Sequence, residues 1–77
     1  MTKRQRDYMK AIRSIATRNG YPPSLAEISA EAGTSKGVTR DMVLLLERNG
    51  YVDRDYATAR SIRITDAGRV ALEGVAK

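Results

Sequence analysis

Tyr8, Ile12, Ile15 and Ala16 recur at steps of three and four residues, the spacing that lines one face of a helix. Ahead of them Thr2-Lys3-Arg4-Gln5 fits a capping box, whose threonine and glutamine satisfy free amides at a helix start, and Asn19-Gly20 ends the run. Tyr21-Pro22-Pro23 cannot continue a helix, because proline lacks an amide and restrains the residue before it. A second capping box, Ser24-Leu25-Ala26-Glu27, opens a short helix with Leu25, Ile28 and Ala32 on one face, and Gly33 stops it. Ser35 caps a third helix of about fourteen residues, which Gly50 terminates. The apolar run from Met42 to Leu46 leaves its phase open. One phase buries Val38, Met42 and Leu45; the other, preferred here, buries Thr39, Met42, Val43 and Leu46 and exposes Asp41.

Tyr51-Val52 and Ser61-Ile62-Arg63-Ile64 are β-prone and enclose a charged loop, Asp53 to Arg60, of the size a wing needs. Thr65 can cap a last helix in which Ala67, Val70, Ala71 and Val75 share a face; Gly68 and Gly74 weaken it by about 1 kcal/mol each relative to alanine. Helix, turn, helix, then hairpin is the order of a winged helix-turn-helix. The expected fold is therefore mainly α with a small β-hairpin. It has a three-helix core, a wing and an extra carboxy-terminal helix, in a single domain over residues 1–77.

Seventy-seven residues allow only one small core. The absence of cysteine removes disulfides and thiolate metal sites, and the absence of histidine removes the usual general base and zinc ligand. An enzyme is not expected, nor a cofactor or metal. No apolar run approaches the ~20 residues that span a bilayer, and the start of the chain lacks the apolar block of a secretory signal. A cytoplasmic protein without membrane partners is expected, bacterial or phage-encoded in a bacterial host. The net charge of +5 is unevenly placed. Lys3, Arg4, Arg6, Lys10, Arg13 and Arg18 face one acid, Asp7, in the first nineteen residues, while the remainder sums to zero. Lys3, Arg6, Lys10 and Arg13 form a basic ridge opposite the apolar stripe, about three helical turns long. It is either a solvated face or a surface for DNA backbone or a partner.

A helix in a major groove reads bases with its first turns. Here those residues are Ser35, Lys36, Gly37, Thr39 and Arg40, where Arg40 offers a planar fork to guanine and Gly37 allows close backbone approach. The alternative for Arg40 is a surface ion pair with Asp41, Glu47 or a wing acid. Ser24 and Leu25 open a helix whose free amides attract a phosphate, although Ser24 would cap the helix in any case. Arg54, Arg60 and Arg63 could reach DNA backbone from the wing, with Asp53 and Asp55 opposing. The four tyrosines are too scattered for a single-strand stacking platform. Tyr8 and Tyr51 belong at the core or its edge, and Tyr56 is the exposed ring.

The stretch from Thr2 to Ile64 resembles the amino-terminal DNA-binding domain of LexA-type repressors. The resemblance rests on Thr2, Arg4, Gln5, Ile12, Gly20-Tyr21-Pro22-Pro23-Ser24, Glu27-Ile28, Gly33, Ser35, Leu46, Gly50-Tyr51-Val52 and Arg60 with Ile62-Arg63-Ile64. It implies a winged helix-turn-helix and a sequence-specific double-stranded DNA-binding regulator. Such a protein would repress by occupying promoters, without a cofactor. The cleavage segment and serine–lysine peptidase domain of full-length LexA repressors are not in this sequence, so self-cleavage is not implied. The turn before the third helix is about one residue shorter than in LexA, and Ile64 to Arg69 with Leu72 looks more like the strand-to-helix junction of MarR-type regulators. The other reading is a winged helix used for protein–protein contact, as an assembly or anti-repressor module. The small apolar face of Ala67, Val70, Ala71 and Val75 either closes the core against the first helix or supports a weak homodimer.

Overall fold

The computed structural model describes residues 1–58 and 60–74. Four helices and one hairpin follow in the expected order: α1 (Lys3–Asn19), α2 (Leu25–Ala32), α3 (Lys36–Arg48), β1 (Val52–Asp53), β2 (Arg63–Ile64) and α4 (Asp66–Gly74). Both capping boxes form. Gln5 N donates to Thr2 Oγ1 at 3.1 Å and Thr2 N to Gln5 Oε1 at 3.0 Å; Ser24 and Glu27 repeat the exchange at 3.2 and 2.9 Å. Two helix starts are thus determined by four residues each, before any tertiary contact.

The core lies where α1, α3 and the hairpin meet, built from Tyr8, Met9, Ile12, Ile15, Ile28, Val43, Leu46, Val52, Ile62 and Leu72. Of the two phases open to α3, the preferred one is observed. Thr39, Val43 and Leu46 are fully buried and Met42 half-buried, while Asp41, Val38 and Leu45 are exposed. The threonine is tolerated because Tyr8 Oη and Thr34 Oγ1 share a hydrogen bond of 2.7 Å, and Thr34 Oγ1 and Thr39 Oγ1 another of 3.1 Å. A chain of three hydroxyls therefore ties α1, the turn and α3 together, with Thr39 satisfied inside it.

The first strand is shifted by one residue and the second is shorter than expected, because neighbouring groups are already engaged. Gly50, at φ 80°, and Tyr51 close α3 by donating to Glu47 O and Leu46 O at 3.0 and 2.9 Å, so the Tyr51 amide is spent on the helix end. The Ser61 hydroxyl is held inside the loop by Asp55. Among the described residues, Val52–Ile64 and Asp53–Arg63 remain as the antiparallel pairing.

Thr65 caps α4 as expected: its hydroxyl donates to Gly50 O at 2.6 Å and accepts from Gly68 N at 2.9 Å. Of the two roles left open for the face of α4 that carries Ala67, Val70 and Ala71, closure of the core is not the one observed. Gly68 and Leu72 face inward with Ala71 half-buried, whereas Ala67 is exposed and Val70 is 64% exposed. Val75 lies outside the described residues. A Cβ on Gly68 would sit 2.1 Å from Tyr51 O and 2.9 Å from Met9 Cε, so glycine lets the helix approach the root of the hairpin. The expected penalty for Gly68 overlooked that contact. Among the described residues no helix is long and apolar enough to cross a membrane.

Candidate nucleic-acid interface

Burying Thr39, Val43 and Leu46 turns the other sides of α3 outward. Ser35 Oγ accepts from Val38 N at 3.2 Å and caps the helix, leaving Ser35, Lys36, Gly37 and Arg40 on its exposed amino-terminal half. Gly37 has open space around it. Four of the five expected base readers therefore share one accessible surface. The fifth, Thr39, is corrected: it has no exposed surface and its hydroxyl is bonded to Thr34. A polar residue in the second turn is no reader when a buried hydroxyl chain claims it.

Arg40 and Glu47 lie seven residues, about two turns, apart and so share a flank of α3. That flank faces the wing: Tyr56 donates its hydroxyl hydrogen to Glu47 Oε1, and the charge of Arg40 reaches Tyr56. The hydrogen bond to Glu47 favours the neutral phenol and raises the Tyr56 pKa above its ordinary value. Desolvation and the Glu47 charge add to this, while Arg54 and Arg40 oppose it. Tyr56 is 62% exposed, as the sequence reading expected, and the Arg54 guanidinium lies 4.5 Å from its ring centroid.

The loop is knitted by Asp55, whose carboxylate accepts from Ala57 N at 2.9 Å and Thr58 Oγ1 at 3.1 Å. Its charge, expected to oppose DNA, is engaged within the loop. Arg54, Arg60 and Arg63 line one depression with Asp53 and Asp55, so the structure gathers the three wing cations that the sequence only suggested. Arg60 takes a positive φ of 57°. Its guanidinium bonds Glu27 Oε1 and lies 5.0 Å from the Tyr21 ring centroid.

At the start of α2 the anion position is already filled. Glu27 bonds the Ser24 amide while the Ser24 hydroxyl accepts from Glu27 N, and Leu25 beside them is half-buried. Hydrogen bonding from Ser24, then from Arg60, holds the Glu27 carboxyl below the usual carboxylate range. The basic ridge is less uniform than its spacing implied. Lys3 pairs with Asp7 at 3.5 Å, Arg6 is half-buried and Lys10 is exposed. Arg13 turns instead toward an apolar groove of about 230 Å³ between α1, β2 and α4, where Arg63 and Arg69 also lie.

Sequence reasoning missed Glu27 as a wing contact and Tyr21 as a stacking partner, and did not count Val38 among the candidate site residues although the preferred phase of α3 exposes it. The helical phase carried the signal for Val38. The other two depend on where the loop folds back.

The profile of the LexA DNA binding domain family matches residues 1–61. A LexA repressor of Mycobacterium tuberculosis is 38% identical over 76 residues, covering 97% of this chain and 32% of its own length. One of Mycolicibacterium smegmatis is 37% identical over 76 residues, covering 97% and 31%. The chain thus spans about a third of the length of these relatives. Among solved structures, a MarR family protein of Bacillus stearothermophilus superposes with a TM-score of 0.76 at 27% identity, covering 99% of this chain and 51% of that one. A transcriptional regulator of Thermotoga maritima gives 0.74 at 27% identity, covering 97% and 51%.

Proposed function

The chain belongs to the LexA DNA binding domain family, and from that premise we propose that it is a sequence-specific double-stranded DNA-binding transcriptional regulator. It would repress by occupying promoters in a bacterial cytoplasm, as one domain over residues 1–77. The observation that carries this reading is the shared exposed surface of α3 and wing. Ser35, Lys36, Gly37 and Arg40 stand on a helix whose inner face is locked in the core, beside a wing that collects Arg54, Arg60 and Arg63. Arg40 would read guanine with its two-pronged donor set, Lys36 a base or phosphate, and Val38, 39% exposed in the first turn, a thymine methyl. The wing arginines and the Leu25 amide would meet backbone phosphates, the Ser24 amide being taken by Glu27.

Selection of binding sites from random duplexes tests this reading and returns the operator. On the selected site Arg40→Ala should cost about 1–3 kcal/mol and relax preference at one base pair. Failure to enrich any sequence would overturn specific binding.

The second reading, a protein–protein module, is favoured by the outer face of α3. Val38 and Leu45 are exposed there with Asp41, an apolar and acidic surface unusual against phosphates. Salt separates the two: affinity for a duplex should fall steeply between low and physiological salt, roughly in proportion to phosphates contacted, and binding to protein should not. Pairing of two copies through Ala67, Val70 and Ala71 of α4 would be weak and would show on DNA as cooperative occupancy of paired half-sites.

A further inference from the structure

Glu27 has two partners that belong to different parts of the fold. One oxygen, Oε1, accepts from the Ser24 amide inside α2's capping box and also from the Arg60 guanidinium, thirty-three residues further on. Arg60 then lies over the Tyr21 ring, on the connection that precedes α2. It holds a left-handed backbone, which a side chain with a Cβ adopts only when its surroundings compensate for the strain. A charged oxygen and an aromatic face on the same guanidinium supply that compensation. The carboxylate is about two-thirds shielded and the guanidinium about half, so water competes for the pair only in part.

We propose that Glu27 is a positioning residue for the wing: through Arg60 it fixes the far end of the loop against α2, so the wing is set relative to the reading helix before DNA arrives. The proposal rests on the DNA-binding reading above for its consequence but not for its geometry. A wing held in place spends less conformational freedom on binding than one ordered by the duplex. The same contact keeps Arg60 on the helix side of the wing depression, with Arg54 and Arg63 facing that depression from the two strand ends.

Glu27→Gln is the informative variant. Glutamine completes a capping box as glutamate does, so α2 and the melting temperature should be retained, while the charge opposite Arg60 is lost. In the free protein, ¹⁵N relaxation should show increased mobility at Arg60 and Ser61, with the residues of α2 unchanged. On the selected duplex, affinity should fall about two- to tenfold without a change in preferred sequence. Arg60→Gln leaves the cap untouched and should loosen the same residues. The double variant should then be no looser than the worse single one. An unchanged wing in Glu27→Gln overturns the proposal. So does tighter duplex binding by a loosened wing, which would mean that Glu27 merely withholds Arg60 from phosphate. If the parent protein selects no duplex at all, the DNA-binding reading fails, and the relaxation measurements still decide whether Glu27 holds the wing.

Discussion

On its inner side α3 presents Thr39, Val43 and Leu46, none with exposed surface, whereas the wing meets the helices through Tyr56 on Glu47 and Arg60 on Glu27, all reached by solvent. Both regions serve the same surface. The helix is held by apolar burial and an enclosed hydroxyl chain, which neither salt nor moderate pH weakens. The wing is held by charge-assisted contacts that salt screens and that contribute little to global stability. Burial thus fixes α3 whatever the solution, while the wing is held by contacts that solution conditions can weaken, and each region can be perturbed without the other.

The largest effect should come from the helix side. Leu46→Ala removes a fully buried side chain and should destabilise the fold by about 2–5 kcal/mol, seen as a lower denaturation midpoint. A domain this small has few such contacts to spare, so partial unfolding at ordinary temperature is the expected outcome. A loss under 1 kcal/mol would mean that α3 is not anchored by its inner face.

The boundary between the regions gives the next effect. The wing's root, Tyr51-Val52, is pinned beneath α4, where Gly68 approaches Tyr51 O. In an open helix Gly68→Ala should stabilise by about 1 kcal/mol. Here the added carbon meets backbone, and a net destabilisation of about 1–3 kcal/mol is expected, with shifted amide resonances at Tyr51 and Thr65. Stabilisation would show that α4 can lift away from the hairpin, and that the wing is adjustable down to its root.

What the sequence made legible follows the same division. The caps at Thr2, Ser24 and Ser35 are local devices, so helix starts could be placed from a few residues. The α3 phase needed a judgement about whether Thr39 could be buried, which Thr34 and Tyr8 permit by accepting its hydroxyl into their chain. Assigning Thr39 to base reading as well counted one side chain on two faces. That Gly68 forms the inward side of α4 was not legible, because periodicity weights valine and alanine and ignores glycine, while packing against Tyr51 demands the residue without a side chain. Glu27 looked complete as a cap, and nothing local announces that Arg60 returns to it across thirty-three residues. Arg40, Lys36 and the wing arginines could be proposed from the sequence because exposed cations need no tertiary knowledge to be suspected.

The smallest expected effect concerns pH and bears on the wing alone. Ser24 and Arg60 hold the Glu27 pKa below that of the unfolded chain, where glutamate titrates near about 4.3. A depressed folded pKa means that the contribution is fully present above the unfolded value and is lost as pH falls through the folded one. Wing order should therefore persist through the range where ordinary carboxylates protonate, and give way only in more acidic solution. Tyr56 makes the opposite case: its raised pKa keeps the phenol donating to Glu47 past the usual tyrosine range, so that contact is lost only as pH climbs through the folded value. Following the Arg60 and Tyr56 amide resonances from acidic to alkaline pH separates the two contacts. In Glu27→Gln the acid-side change at Arg60 should vanish while the alkaline change at Tyr56 remains. Should Arg60 instead shift at an ordinary carboxylate pKa in the parent protein, the Glu27 contact would be too weak in solution to hold the wing.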